Sequence, residues 1–152
     1  TREEFRYVIE ESAKGGILLE HEKKLIDTIL NLGSLRVEEV MIPVEKFPNV
    51  SLTDKVRDVK EVARRTKAQA VLVYEEIPSL IVGVVYVFDV WFEEHEDETL
   101  SHYLRAPLFI SQDTTAEKAI FLLQSKHASY GAVINSDREV VGVVSLENLI
   151  RF

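Results

Sequence analysis

An internal repeat of about 60 residues constrains the fold more than any other feature of this sequence. Leu80–Val85 and Glu139–Val144 carry the same order of apolar residues around a glycine, and these glycines, Gly83 and Gly142, are 59 residues apart. The helical segments before them align at an offset of 60, so the copies have nearly equal length. This period is longer than the roughly 20–50 residues typical of solenoid repeats. We therefore expect two β-α-β-β-α units packed as a pseudo-twofold pair.

Both copies have the same predicted elements, which makes the expected fold class α/β. In the first copy we expect strands at Phe47–Val50, Val71–Tyr74 and Leu80–Tyr86, a helix capped by Thr53 or Asp54, and a helix beginning near Asp89. In the second we expect strands at Leu108–Ser111, Ala132–Ile134 and Glu139–Val144, a helix opened by the Thr114–Glu117 capping box, and a helix beginning near Asn148. The copies open on Val40–Pro43 and Leu104–Pro107, an overlay that matches Met41 with Arg105.

Two further helices are predicted before the first copy, within residues 1–33. Thr1 and Glu4 have the spacing of a capping box, and Gly15–Gly16 ends the helix that follows. A second helix begins at Glu20 and ends at Gly33, a residue type common at helix C-termini. The chain therefore divides into a helical linker (1–36), a first unit (37–95) and a second unit (96–152).

Composition and charge exclude several classes of function. With 18 basic and 26 acidic residues, the net charge of −8 disfavours a nucleic-acid partner. The sequence has no cysteine for a disulfide, a thiolate zinc site or a nucleophile, and no apolar run of about 18 residues for a membrane span. Its four histidines are scattered, and Ser145 lies in no Gly-x-Ser-x-Gly motif. We therefore do not expect an enzyme.

The segment between the copies, Trp91–Leu100, is the most acidic part of the chain. Its carboxylates and His95 could together form a divalent-metal site, or the segment could be a solvated connection. Contiguous carboxylates repel one another and rarely converge on one ion without turns that fold them around it. We favour the solvated connection and predict no metal site.

The repeat resembles a known family. Gly83–Asp89 and Gly142–Asn148 follow the pattern Gly-x-x-(Ser/Thr)-x-x-Asp, and with the order of elements they resemble a pair of cystathionine-β-synthase (CBS) domains, or Bateman module. Ile9–Leu18 and Val37–Pro43 are similar to the linker before the CBS pair in the hemolysin-like CorC/cyclin M proteins. This resemblance implies tandem CBS units after a helical linker. It also implies a cytoplasmic regulatory part of a membrane protein associated with magnesium and cobalt efflux, with the transmembrane domain preceding this chain.

The resemblance further implies an adenine-nucleotide site, with AMP, ADP or Mg-ATP as ligand. In such pairs the helix-start motif of one unit (Gly83–Asp89 or Gly142–Asn148) faces the lead-in segment of the other, which is the segment that opens each copy (Val40–Pro43 or Leu104–Pro107). A carboxylate or amide at the helix start suits ribose hydroxyls, and a serine hydroxyl suits a phosphate oxygen. The implied binding residues are Met41, Ile42, Pro43, Asp89, Pro107, Phe109, Tyr130, Ala132, Ser145 and Asn148. A plain helix cap for Asp89 and Asn148, and ordinary core packing for Met41 and Phe109, remain open alternatives.

The chain departs from the family pattern at the two sites in different ways. Tyr86 stands where many units have Ser or Thr, and Asn148 stands where an Asp is usual. A tyrosine ring obstructs a phosphate, whereas an Asn in place of Asp weakens hydrogen bonds by about 1–2 kcal/mol. We therefore favour the site of Ser145 and Asn148 over that of Asp89.

CBS pairs also associate two by two, so a homodimer is expected. Its surface would consist of the helices near Asp89–Phe92 and 148–152, with Trp91, Phe92 and Phe152 as aromatic anchors. The main alternative to a nucleotide sensor is a structural dimerisation module that has no functional nucleotide site.

Overall fold

Two β-sheets form the centre of the chain, one built mainly from each copy of the repeat. The computed structural model describes residues 1–14 and 19–151. The helices are α1 (Arg2–Lys14), α2 (Glu20–Leu32), α3 (Val37–Val40), α4 (Val56–Thr66), α5 (Val87–Trp91), α6 (Ala116–Ser125) and α7 (Leu146–Arg151). The strands are β1 (Ile42–Pro43), β2 (Asn49–Ser51), β3 (Ala70–Tyr74), β4 (Ile81–Tyr86), β5 (Leu108–Ser111), β6 (Tyr130–Ile134) and β7 (Val140–Ser145). The helix end expected at Gly15–Gly16 and the expected anchor Phe152 lie outside the described residues.

The two sheets repeat the same connectivity, and this confirms the predicted α/β fold. β2 runs parallel to β3, which pairs antiparallel with β4; in the second copy β5 runs parallel to β6, which pairs antiparallel with β7. Helices α4 and α6 are the crossovers between the parallel strands. The register of both antiparallel pairs shifts at equivalent points, after Val73 and after Val133.

Each lead-in segment crosses to the sheet of the other copy. β1 pairs antiparallel with β7, with Ile42 opposite Val143. The corresponding bridge in the other sheet joins Arg105 to Val84. The sheets therefore have the strand orders β1-β7-β6-β5 and β2-β3-β4, and the second is extended at β4 by the Arg105 bridge.

This crossing requires both glycines of the repeat. A Cβ atom at Gly142 would lie 2.4 Å from Met41 Sδ, and one at Gly83 would lie 2.5 Å from Leu104 Cδ1. Leu104 therefore occupies the place that Met41 has in the first lead-in segment. The sequence overlay of Met41 on Arg105 is wrong by one residue, because it aligned the prolines instead of the residues that contact the glycines.

Each copy contributes most of one apolar cluster, and a third cluster joins the copies. The first cluster contains Val50, Val56, Val59, Val71, Val73, Val85, Val90 and Leu100. The second contains Val37, Ile110, Ala116, Ala119, Leu123, Val133, Val144 and Leu149. Phe47, Leu72 and Val143 form the third. Because Leu72 and Val143 belong to different sheets, the apolar surface buried here holds the two halves together.

The start of α4 differs from the prediction. Lys55, and not Thr53 or Asp54, is the residue that precedes the helix, and its backbone N–H donates to the Asp58 carboxylate at 2.8 Å. The Asp54 carboxylate instead accepts the N–H of Ser51 at 2.9 Å. The predicted cap is wrong because Asp54 forms a turn that ends β2, one residue before the cap.

The acidic segment between the copies packs against the start of α4. The Arg57 N–H donates to the Glu96 carbonyl at 3.0 Å, so the segment's backbone satisfies a free helix donor. Lys60 is 6% exposed, and its Nζ donates to the Glu93 carbonyl at 2.6 Å and to Glu96 Oε1 at 3.2 Å. Within the described ranges, no group of three or more His, Cys, Asp or Glu side chains is arranged to hold a metal ion. The segment therefore has a structural role that goes beyond a solvated connection.

Arg2 joins the α1–α2 hairpin to the second copy. Its guanidinium donates to the Leu30 carbonyl at 2.9 Å and to the Glu117 carboxylate at 3.2 Å. The same group lies so close to Gly33 that a Cβ atom there would meet Nη2 at 2.0 Å. Gly33 ends α2 as predicted, but with a φ of −78°, so the space occupied by Arg2, and not a left-handed conformation, accounts for this glycine.

Candidate functional site

Asp89 and Asn148 occupy equivalent places at the two helix starts. α5 follows β4 directly, and α7 follows β7 directly, so each of the two side chains is the third residue of its helix. From that position a polar side chain can reach back to the residue before the helix. The two side chains nevertheless have different partners.

Asn148 uses its whole side chain in contacts within the chain. Its Oδ1 accepts the Ser145 N–H, while Ser145 Oγ accepts the Asn148 N–H at 3.1 Å, so the two residues cap α7 reciprocally. Its Nδ2 donates to the Val40 carbonyl at 2.8 Å. Because a carboxylate has no proton to donate, this bond explains an amide at a position where the family pattern has Asp. Asn148 is thus a helix cap and also a link to the lead-in segment.

Asp89 is paired with a cation of the chain itself. Its Oδ2 lies 2.7 Å from Arg105 Nη2, and the Asp89 side chain is 26% exposed. The backbone of Arg105 is fixed because its N–H and carbonyl both bond to Val84 at 2.9 Å. Its guanidinium also lies over the Tyr86 ring, 5.1 Å from the centroid. The carboxylate predicted to accept ribose hydroxyls therefore accepts from Arg105.

A row of aromatic rings fills the space between the copies. The Tyr86 and Tyr130 centroids are 6.2 Å apart, and those of Tyr130 and Phe47 are 5.8 Å apart at an angle of 69°. Burial raises the pKa of Tyr130 above its usual value, and the Glu147 carboxylate and Tyr86 raise it further. Tyr130, one of the implied binding residues, thus packs against rings of the protein.

Two cavities are bordered by the Tyr86–Tyr130 pair. The smaller, of about 220 Å³, is also lined by residues 106–108, Lys126 and Ala128. It is below the roughly 300–1,000 Å³ of typical small-molecule sites. The larger, of about 570 Å³, is also lined by Ala63, Lys67, Ala68, Gln69, Val87, Phe88, Trp91, Phe92 and Ser129. Neither lining includes Asp89, Ser145 or Asn148.

The other predicted binding residues lie in two places. Met41, Ile42 and Pro43 run beside β7, which brings them to the strand that ends at Ser145. Pro107 lines the 220 Å³ cavity together with Tyr130. Phe109 is half exposed and pairs in the sheet with Ala132, which is buried. The Asn148–Val40 hydrogen bond and the Asp89–Arg105 ion pair bring each helix start to the lead-in segment of the other copy.

The sequence did not reveal the two partners, Val40 and Arg105, that bind the Asn148 and Asp89 side chains within the chain. Val40 contributes only a backbone carbonyl, for which no residue type is a signal. Arg105 had a signal, because a basic residue in the lead-in segment opposite Asp89 can pair with it. The one-residue error in the overlay concealed this, since it set Arg105 in the place of the apolar Met41.

Comparisons with known proteins support the resemblance. Residues 100–152 match the CBS domain family. Hemolysin C of Brachyspira hyodysenteriae is 25% identical over 133 residues, which cover 88% of this chain and 50% of that protein. A solved CBS domain of a bacterial CNNM/CorC family Mg²⁺ transporter superposes with a TM-score of 0.90 at 24% identity, covering 99% of this chain and 93% of that one. A structure of such a domain in complex with ATP gives a TM-score of 0.80 at 25% identity, covering 86% and 94%.

These findings confirm the resemblance to the CBS domains of this transporter family. The chain spans half the length of the Hemolysin C that it matches. In the part of the chain that the structure describes, no helix combines the length and apolar character needed to cross a membrane.

Proposed function

We propose that this chain is the adenine-nucleotide-binding regulatory module of a membrane transporter of divalent cations such as Mg²⁺ or Co²⁺. The observation that carries the proposal is the similarity of nearly the whole chain, linker helices included, to the CBS domain of a Mg²⁺ transporter. A related domain is described in complex with ATP. We assign residues 1–36 to a linker from a transmembrane domain, and 37–95 and 96–152 to two CBS units on the cytoplasmic side. The module regulates and does not catalyse.

The nucleotide, which is AMP, ADP or Mg-ATP, is proposed to bind at Ser145 and Asn148, beside Met41, Ile42 and Pro43. Two observations support this choice over the site of Asp89. The Asp89 carboxylate is paired with Arg105, and the Tyr86 ring packs against both the Arg105 guanidinium and the Tyr130 ring. Ser145, by contrast, carries a small side chain that is partly exposed.

The bond between Asn148 and Val40 suggests how occupancy is transmitted. Val40 ends α3, and α3 begins at Val37, whose N–H donates to the Thr114 carbonyl at 2.8 Å. A ribose hydroxyl that takes the Asn148 amide removes one of the hydrogen bonds that hold this segment. The nucleotide then has different affinity for the chain with the Asn148–Val40 bond formed and for the chain with it broken. Such a difference is the condition for regulation.

A homodimer is part of this proposal. Three aromatic residues of α5 and its C-terminal end are exposed, Phe88 by 78%, Trp91 by 40% and Phe92 by 74%. Phe121 of α6 and Ile150 of α7 are exposed as well. Exposed apolar side chains on these helices favour association with a second copy.

A specific observation favours the second candidate function, a dimerisation module without a nucleotide site. Both polar side chains at the helix starts already have partners within the chain: Asp89 pairs with Arg105, and Asn148 donates to Val40. A ligand must displace these partners, so its affinity is reduced by the free energy of the ion pair or hydrogen bond that it breaks.

Thermal unfolding with and without nucleotide separates the two functions. At 100 times the dissociation constant a ligand stabilises by about 2.7 kcal/mol. For a domain of this size the midpoint rises by roughly 5–11 °C. ATP is expected to depend on Mg²⁺ more than AMP does, since the net charge of −8 repels its phosphates. If millimolar AMP and Mg-ATP both leave the midpoint within about a degree, the nucleotide-sensing function is refuted and the dimerisation module is favoured.

A further inference from the structure

We propose that Arg105 is an internal occupant of the first of the two helix-start sites and keeps it closed to nucleotide. The inference rests on the proposed function. It adds that the two copies are unequal because Arg105, a side chain of the second lead-in segment, pairs with Asp89 and holds the bulky Tyr86 ring at the site. The cluster that carries it is Asp89, Arg105 and Tyr86.

Arg105 contacts both groups that a ligand at this site would use, the Asp89 carboxylate and the face of the Tyr86 ring. Its Nη2 lies 2.7 Å from Asp89 Oδ2, the distance of a charge-assisted hydrogen bond. Its guanidinium covers the face of the Tyr86 ring at 5.1 Å, and an aromatic base would need such a face to stack. One side chain thus occupies both the acceptor and the aromatic surface.

The backbone holds Arg105 in this position. Both of its main-chain polar groups bond to Val84 at 2.9 Å, directly before the strand end that carries Tyr86. The anchored backbone therefore keeps the start of the Arg105 side chain beside Asp89 and Tyr86. The neighbouring cavity, bordered by Tyr86 and residues 106–108, has a volume of only about 220 Å³.

The second helix-start site, that of Ser145 and Asn148, has no cation at the described position that is equivalent to Arg105. Ile42 occupies that place in the first lead-in segment, opposite Val143, as Arg105 lies opposite Val84. An isoleucine cannot pair with a polar side chain, and Asn148 is held there by a neutral backbone carbonyl instead. A neutral bond is weaker than a charge-assisted one. The chain is therefore expected to bind one nucleotide, at the second site.

Isothermal titration of the chain with AMP and with Mg-ATP, comparing wild type and Arg105→Ala, tests this proposal. Alanine keeps the Val84 bridge, since only backbone atoms form it. We expect a stoichiometry of one nucleotide per chain for wild type and two for Arg105→Ala, with binding at the Asp89 site lost again in Arg105→Ala/Asp89→Leu. Arg57→Ala is the matched control, because Arg57 also pairs with an aspartate, Asp97, and is 53% exposed, close to the 58% of Arg105.

The outcomes distinguish this inference from the proposed function. Two nucleotides per wild-type chain, or one per chain in both proteins, overturn the role of Arg105. Binding by wild type that Arg105→Ala abolishes also overturns it, because Arg105 would then be a ligand-binding group. If wild type binds none and Arg105→Ala binds one, the second site is wrong but the closure by Arg105 is supported. No binding by either protein refutes both.

Discussion

Replacing Asn148 by Asp restores the family pattern, and yet the structure predicts that it destabilises the protein. The change keeps the size of the side chain and its acceptor for the Ser145 N–H. It removes the donor that bonds to the Val40 carbonyl at 2.8 Å and puts a carboxylate oxygen against that carbonyl. A hydrogen-bonded group that loses its partner costs about 1–3 kcal/mol. A negative charge in the first turn of α7 interacts favourably with the helix dipole and stabilises the fold by about 0.3–1 kcal/mol.

With the middle of each range, about 2 kcal/mol lost and about 0.6 kcal/mol gained, the net loss for Asn148→Asp is about 1.4 kcal/mol, or a fall of roughly 3–6 °C in the unfolding midpoint. Thermal denaturation followed by circular dichroism at pH 7 measures it. Asn135→Asp is the matched control, because its Oδ1 likewise accepts N–H groups, those of Asp137 and Glu139, while its Nδ2 donates to the exposed Glu139 carboxylate and not to a backbone carbonyl. That control is expected to change stability by less than about 0.5 kcal/mol. An Asn148→Asp protein as stable as wild type would refute the importance of the Val40 contact.

Two further changes test the crossing of the copies and the acidic connection. Gly142→Ala puts a Cβ atom 2.4 Å from Met41 Sδ and 2.9 Å from the Ile42 carbonyl, so urea titration should show a loss of about 1–3 kcal/mol. Gly33→Ala, which meets only the flexible end of Arg2, should lose less, and the reverse order would contradict the account. The N–H of His95, and then the Tyr103 hydroxyl, hold the pKa of Glu93 below 4.5, so this group stabilises the fold above pH 4.5 and loses that effect as pH falls through its lowered pKa. Tyr103→Phe should therefore make the melting midpoint fall less between pH 7 and pH 3 than it does in wild type. Tyr7→Phe, at an exposed position, should leave that fall unchanged. An equal fall of the midpoint in wild type and Tyr103→Phe would contradict the Glu93 contact.

Some features that depend on neighbours in the sequence could be predicted from it, but two helix caps were wrong. Lys55, and not Thr53 or Asp54, precedes α4, and Thr115, and not Thr114, caps α6, where its Oγ1 accepts the Lys118 N–H at 3.2 Å. The capping box at Thr1 is present, with the Glu4 N–H bonded to Thr1 Oγ1 at 3.1 Å. The glycine-centred strands also follow from local patterns of apolar residues, as does the repeated order of elements.

The partners of the candidate site could not be predicted, because they come from distant parts of the chain. Asn148 bonds to Val40 across 108 positions, through a carbonyl that every residue has. The pairing of Asp89 with Arg105 depends on the register of the lead-in segment, which a one-residue error in the overlay changes. Residue types thus located the candidate residues, and the crossing of the two copies determined their contacts.

Hydrogen exchange measured by mass spectrometry, with and without saturating AMP and Mg-ATP, tests the central claim most directly. The claim has two parts, that a nucleotide binds at the junction of the copies and that its binding changes the linker. We expect protection of residues 143–148 on nucleotide addition, together with altered exchange at 37–43 and in α2. Unchanged exchange throughout the chain would contradict nucleotide binding, and a change confined to 143–148 would contradict its transmission to the linker.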